Sequence, residues 1–400
     1  MSMRTRILLI IFTVLLAVIL LAVRPKAKND ELVFWTLQMR DFSPYIEKVI
    51  ANFEQENPDI KINWVDIPFS EGEKRTLAAI LSDNPPDLIN LNPDFSALLA
   101  QKGTLTEISD KDLTQFSEEI VNNMKFNGKN YFIPWYATSA LTFYNKKLLH
   151  SQPKSYNEIF EMCRIGTNND KFLLMFNFAE NDSMLRLLNK YGINSPQNIN
   201  SQMAIDLYKT LQDAYNAGCF PKESLTQTHQ ESLEKYMAGE VLIFEGGSNF
   251  LNMIKENAPQ TFANTELGTQ LRGETGKYNF SIMNFIIPLK SKKQEAALKF
   301  ALYLTNKDNQ LELAKLTNIL ATNKYALADK FYTTATPEDI FAQARVLSAK
   351  QLQNIQPQPF YANRKEIITL INNATQKILL KQDAIENVLN KLRYDWKNLN

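Results

Sequence analysis

The chain has 400 residues, 44% of them hydrophobic, with 24 Phe and 15 Tyr, which is more than a single hydrophobic core usually serves. Lys and Arg number 44 against 43 Asp and Glu, a balance without the basic footprint of a nucleic-acid surface, so DNA and RNA are excluded as partners. No tract is polar enough for a long disordered region, and two lobes of ordinary domain size are expected after the first thirty residues.

Those thirty residues stand apart. Arg4 and Arg6 precede an apolar run from Ile7 to Val23, interrupted only by Thr13, and Arg24, Pro25, Lys26 and Lys28 restore polarity. A run of 17 residues lies at the lower limit for crossing a bilayer core. Its end, Ala22-Val23-Arg24, lacks the small neutral A-x-A pattern of a cleavage site, so residues 1–30 read as an uncleaved signal-anchor, with a cleaved signal peptide as the alternative.

In chain order, Leu32 to Thr36 is an apolar run suited to a buried strand. Ser43 is expected to cap a helix with Pro44 in its first turn and Ile46, Val49, Ile50 and Phe53 on one face, ended by Asn57 and Pro58. Ile60, Ile62 and Trp64 alternate as a strand does; Thr76 to Ser82 reads as helix, and Leu88 to Leu91 as a third strand. This βαβαβ order opens an α/β sheet, whose ligands bind beyond the carboxyl ends of its strands. Tyr131 to Tyr144 is a long extended segment, residues 156–218 are mainly helical, and Val241 to Phe244 is a strand running into Gly246 and Gly247. Phe280 to Ile287 is extended, and a helix after Lys293 buries Ala297, Phe300, Ala301 and Leu304. Two helices close the chain, around Ile367 to Ile378 and Ile385 to Trp396, the second with a capping box from Asp383 and Glu386. Cys163 and Cys219 lie outside any C-x-x-C and read as separate small core residues, although an oxidising compartment would permit them to pair.

Several phrases together resemble family 1 extracellular solute-binding proteins of ATP-binding-cassette importers. Phe53, Glu54, Asn57, Pro58, Ile60, Lys61 and Ile62 match its FExxNPxIKV phrase. Leu77 to Ala79 with Ser82, Asn84, Pro86 and Asp87, then Gly128, Lys129, Tyr131, Ile133 and Pro134, follow in the family's order. Tyr144 to Lys146 with Leu148, Pro153 with Tyr156, Met237 to Val241 with Gly247, and Ile287 to Leu304 continue the series.

The resemblance implies a two-lobed α/β periplasmic-binding-protein fold (type II-like), with each lobe a sheet flanked by helices. Residues 31–140 and 285–325 would form the first lobe, and 141–284 and 326–400 the second, joined near Ala137 to Leu141, Asn279 to Asn284 and Tyr325 to Lys330. It further implies a solute, most plausibly a sugar, held between the lobes and delivered to membrane permease subunits, with residues 7–23 in the inner membrane and the body outside the cytosol. Three departures bear on the ligand: Ser248 stands where many sugar binders carry Trp, Ser281 to Asn284 replaces a Gly pair, and Leu320 to Thr322 replaces a GxxP phrase.

Sugar sites pair aromatic platforms with carboxylates and amides. By position at strand ends or crossovers, the candidates are Trp35, Thr36 and Gln38; Asn92 and Asp94; Trp135, Tyr136 and Thr138; Glu245, Ser248 and Asn249; and Tyr361. Each has a plainer reading: Trp35, Trp135 and Tyr361 as core, Asp94 as a helix cap, Glu245 as a solvated turn. Asp94 and Glu245 would also suit a polyamine or other cation, and a tethered scaffold without ligand is a further alternative. Enzyme chemistry, a cofactor and a metal are not expected. His150 and His229 have no ligand partner at i+4, no Walker or G-x-S-x-G phrase occurs, and Pro153 breaks the helix that an S-x-x-K pair at Ser151 and Lys154 would need.

Overall fold

Strand β1 (Glu31–Leu37) alternates burial along its length, with Leu32, Phe34 and Thr36 on the inner face, and so anchors the first sheet. The computed structural model describes residues 31–149, 151–165, 171–178, 181–357 and 359–399, so the apolar run at 7–23 and His150 lie outside the described residues. Among the described residues no helix is long and apolar enough to cross a membrane.

β1 pairs in parallel with β2 (Lys61–Ile67) and β3 (Leu88–Leu91), and such pairing requires a crossover for each connection. The Ser43–Glu56 and Phe69–Leu81 helices supply them. Ser43 is the first helical residue rather than the cap, its hydroxyl donating to the Arg40 carbonyl at 2.5 Å. β8 (Phe280–Ile286) lies antiparallel between β3 and the front half of β4 (Ile133–Asn145), and β9 (Leu320–Ala321) also pairs with β4.

β4 is the spine of the molecule. Residues 133–139 pair with β8, and residues 140–145 pair with β6 (Val241–Gly247) and β7 (Thr265–Gly268) of a second sheet, completed by β5 (Phe172–Leu174). A bulge interrupts the β4–β8 register between Pro134 and Tyr136, and the strand passes to its second set of partners at Ala140. The expected division at residues 284 and 285 falls inside β8, all of which lies in the first sheet.

Each sheet has its own core. Phe34, Phe53, Trp135, Phe285 and Phe300 fill one face of the first, with Phe34 and Phe300 centroids 5.2 Å apart at 86°. The second lobe buries Tyr208, Leu211, Ile243, Ile367, Ile371 and Trp396, so the Arg364–Leu379 and Ile385–Lys397 helices belong to it. Their chain arrives from the first lobe over one peptide: Phe360 sits on Phe126, centroids 5.3 Å apart, while Tyr361 sits on Trp396 at 5.7 Å. The last helix is capped at Ala384, and Asp383 accepts from the Ala384 N–H at 2.7 Å instead of forming the expected box with Glu386.

Candidate functional site

The carboxyl ends of β1 and β3, the crossing of β4 and the end of β6 converge between the lobes. Gln38 follows β1 in a left-handed conformation (φ 54°), which is uncommon for a residue with a Cβ, and its N–H is tied to the Ile67 carbonyl at 2.9 Å. It stays exposed and, with Tyr136 and Phe69, lines a depression of about 270 Å3. Tyr136 is half-buried, and burial pushes its hydroxyl pKa up to about 12, so it remains a neutral donor at any physiological pH. Thr317 and Ile319 continue from this depression into a small cavity of about 50 Å3 that Ser248 also lines. Thr138 is exposed at the crossing, and Asn249 is exposed at the start of the Phe250–Asn257 helix.

Asn92 caps the Pro93–Gln101 helix, its side chain accepting from the Phe95 N–H at 2.9 Å. Asp94 is thereby free of capping. Its carboxylate meets the Arg364 guanidinium of the other lobe at 3.1 Å and borders a cavity of about 490 Å3 with Phe126, Phe132, Phe280 and Phe360. Burial raises the Asp94 pKa, and Arg364 works against that rise.

Other candidates are engaged within one lobe. Trp135 is fully buried and stacked on Phe285 at 4.6 Å, because β4 points it into the first core. Thr36 is buried, donating to Asp66 at 2.6 Å and accepting from the Trp64 indole at 2.8 Å, while half-buried Trp35 packs beside Leu37 and Ile89. Glu245 accepts from the Tyr156 hydroxyl at 2.5 Å and the Leu271 N–H at 2.9 Å. The glycine after it serves packing: a Cβ on Gly246 would lie 2.4 Å from the Phe244 ring. Tyr361 donates to the Asn194 carbonyl at 2.8 Å. Arg364, Asp182 and Arg186, three residues at the cleft wall, were not legible by position. No strand-end or motif pattern marks them, since they become neighbours only when the Ser183–Lys190 and Arg364–Leu379 helices pack.

A further cavity, about 760 Å3, lies elsewhere, in the second lobe, between the Tyr156–Ile165 and Gln202–Asn216 helices. Cys163 and Cys219 line it as free thiols in mutual hydrogen-bond contact, and burial raises the Cys163 pKa. Among the described residues no cluster of His, Cys, Asp or Glu side chains could hold a metal ion.

The chain is similar to known proteins in sequence and in fold. An assigned binding protein of Brucella abortus is 23% identical over 373 residues, covering 86% of this chain and 87% of its own. The maltodextrin-binding protein of Bacillus subtilis is 26% identical over 139 residues, 34% of this chain and 32% of its own. A crystal structure from Synechococcus sp. MITs9220, assigned as an oligosaccharide periplasmic-binding protein, superposes with a TM-score of 0.82 at 25% identity, covering 92% of this chain and 98% of the other. The model of the bacterial extracellular solute-binding protein family matches residues 48–338, which hold every named strand except β1. The chain belongs to the family of bacterial extracellular solute-binding proteins.

Proposed function

We propose that the chain is the substrate-binding component of an ATP-binding-cassette importer, which takes up a mono- or oligosaccharide between its lobes and hands it to the permease. The observation that carries this reading is a set of polar groups at the strand ends and the β4 crossing: Gln38 and Tyr136 line one depression, Ser248 lines the small cavity that shares Thr317 and Ile319 with it, Asp94 borders a separate cavity, and Thr138 and Asn249 are exposed. Hydroxyl-rich solutes need such neutral donors and acceptors, with ring faces for their CH groups. The maltodextrin and oligosaccharide binders among the similar proteins support the same solute class. Binding would draw the lobes together and present the closed form to the permease.

The cationic alternative is weakened by engagement of both carboxylates that would serve it, Asp94 by Arg364 and Glu245 by Tyr156 and Leu271. Thermal unfolding separates the two. A saccharide at a hundredfold excess over its Kd should stabilise the fold by about 2.7 kcal/mol, with little change between low and high salt. Stabilisation by polyamines alone, fading as salt rises, would refute the saccharide assignment. The body acts outside the cytosol, held to the inner membrane by residues 7–23.

A further inference from the structure

Among the described residues, two ion pairs join the lobes. Arg364 Nε meets Asp94 Oδ2 at 3.1 Å, and the exposed Lys365 ammonium lies 3.7 Å from Glu73. The second is solvated and screened, with the Lys365 side chain 87% exposed, and contributes little. The first is built differently. Arg364 opens a helix whose Ile367 and Ile371 are locked into the second core, and its side chain is only 16% exposed. Its Nη2 is held 2.5 Å from Asp182 Oδ2, and Asp182 is held by Arg186 at 2.8 Å. Burial acts to raise the Asp182 pKa, yet the two guanidiniums hold it below the usual range, so the carboxylate stays charged. The guanidinium plane is therefore fixed from behind by its own lobe and presents Nε to a carboxylate that its own helix does not use as a cap.

We propose that Arg364 is a closing clamp: its contact with Asp94 forms as the lobes approach, so part of the population is closed before any solute arrives. The inference rests on the cleft being the solute site. Its consequence for binding is direct, because apparent affinity scales with the fraction already competent to bind, and Arg364 thereby sets affinity without needing to touch solute. An opening that separates the Pro93–Gln101 helix from the Arg364–Leu379 helix breaks this contact, whereas the Arg364–Asp182–Arg186 chain lies within the second lobe and survives.

Asp94→Asn is the informative variant, because it removes the crossing charge and leaves that chain intact. The full chain in detergent micelles, with Cys163 and Cys219 replaced by Ser and spin labels on cysteines introduced at the exposed positions Lys74 and Asn257, reports the interlobe distance by pulsed electron–electron resonance with no solute present. The closed component should shrink roughly threefold in Asp94→Asn and in Arg364→Met. Raising salt from 0.05 to 0.5 M should move the unsubstituted chain the same way and leave Asp94→Asn unchanged. Superimposable distances in all three proteins at both salts would overturn the clamp. Opening in Arg364→Met alone would overturn it too, since that pattern reports lost support inside the second lobe. Solute is absent throughout, so a wrong saccharide assignment leaves the outcome readable.

Discussion

Replacing Glu245 by Gln should cost the protein about 1–3 kcal/mol of stability, read as the shift in its urea midpoint. The reason lies beneath the β6 turn, where Lys190 is 3% exposed. Its ammonium donates to the Leu271 carbonyl at 2.5 Å and lies 5.2 Å from the Tyr156 ring centroid. Burial lowers the Lys190 pKa, and the Glu245 charge offsets part of that lowering. Neutralising Glu245 removes a nearby charge that favours the buried ammonium and disturbs the acceptors for Tyr156 and Leu271. Adding Lys190→Met should recover much of the loss, as a coupled pair requires.

The pH dependence has a definite sign. With its folded pKa depressed, Lys190 binds fewer protons folded than unfolded, so its contribution to stability rises as pH climbs from the folded pKa toward about 10.4. In Glu245→Gln that folded pKa falls further, and the rise should begin at lower pH. A change below about 0.5 kcal/mol in the single variant, flat with pH, would mean that the pair is solvated.

Removing residues 7–23 should release the protein completely. A run of 17 residues, apolar but for Thr13, would rise about 25 Å as a helix, close to the hydrocarbon thickness of a bilayer, and most of its residue types contribute favourably to insertion. On the proposed anchor, with the body outside the cytosol, Arg4 and Arg6 would stay inside and the basic stretch at Arg24 to Lys28 would lie just outside. The full chain should therefore remain in the pellet after alkaline carbonate washing of membranes, and the deleted chain should appear in the soluble fraction. Release of the undeleted body without detergent contradicts the anchor and favours a cleaved leader.

The fold was largely legible because periodicity reports burial. The runs at Leu32 and Leu88, the Ile46 to Phe53 helix face and the two closing helices all appear where the apolar spacing places them. End residues were less legible. Ser43 and Asp383 each lie one place from the capping position read for them, because side-chain chemistry alone does not fix which residue leaves helical geometry first. The site was legible only as a set of strand ends. Strand alternation fails where the β4 register shifts between Pro134 and Tyr136, so Trp135 enters the core while half-buried Tyr136, its ring 5.1 Å from that of Trp135, borders the depression beside Gln38. Arg364 was hidden for another reason: nothing local distinguishes it from an ordinary first-turn residue, and its partners are 182 and 270 positions away, Asp182 and Asp94.

Hydrogen exchange on the full chain, with and without a saccharide that raises its melting temperature, tests most directly whether solute is captured between the lobes. Backbone amides at residues 37–39, 92–96 and 317–319 of the first lobe and 246–250 of the second should slow together on binding. Slowing confined to the second lobe's cavity between the Tyr156–Ile165 and Gln202–Asn216 helices would contradict capture in the cleft.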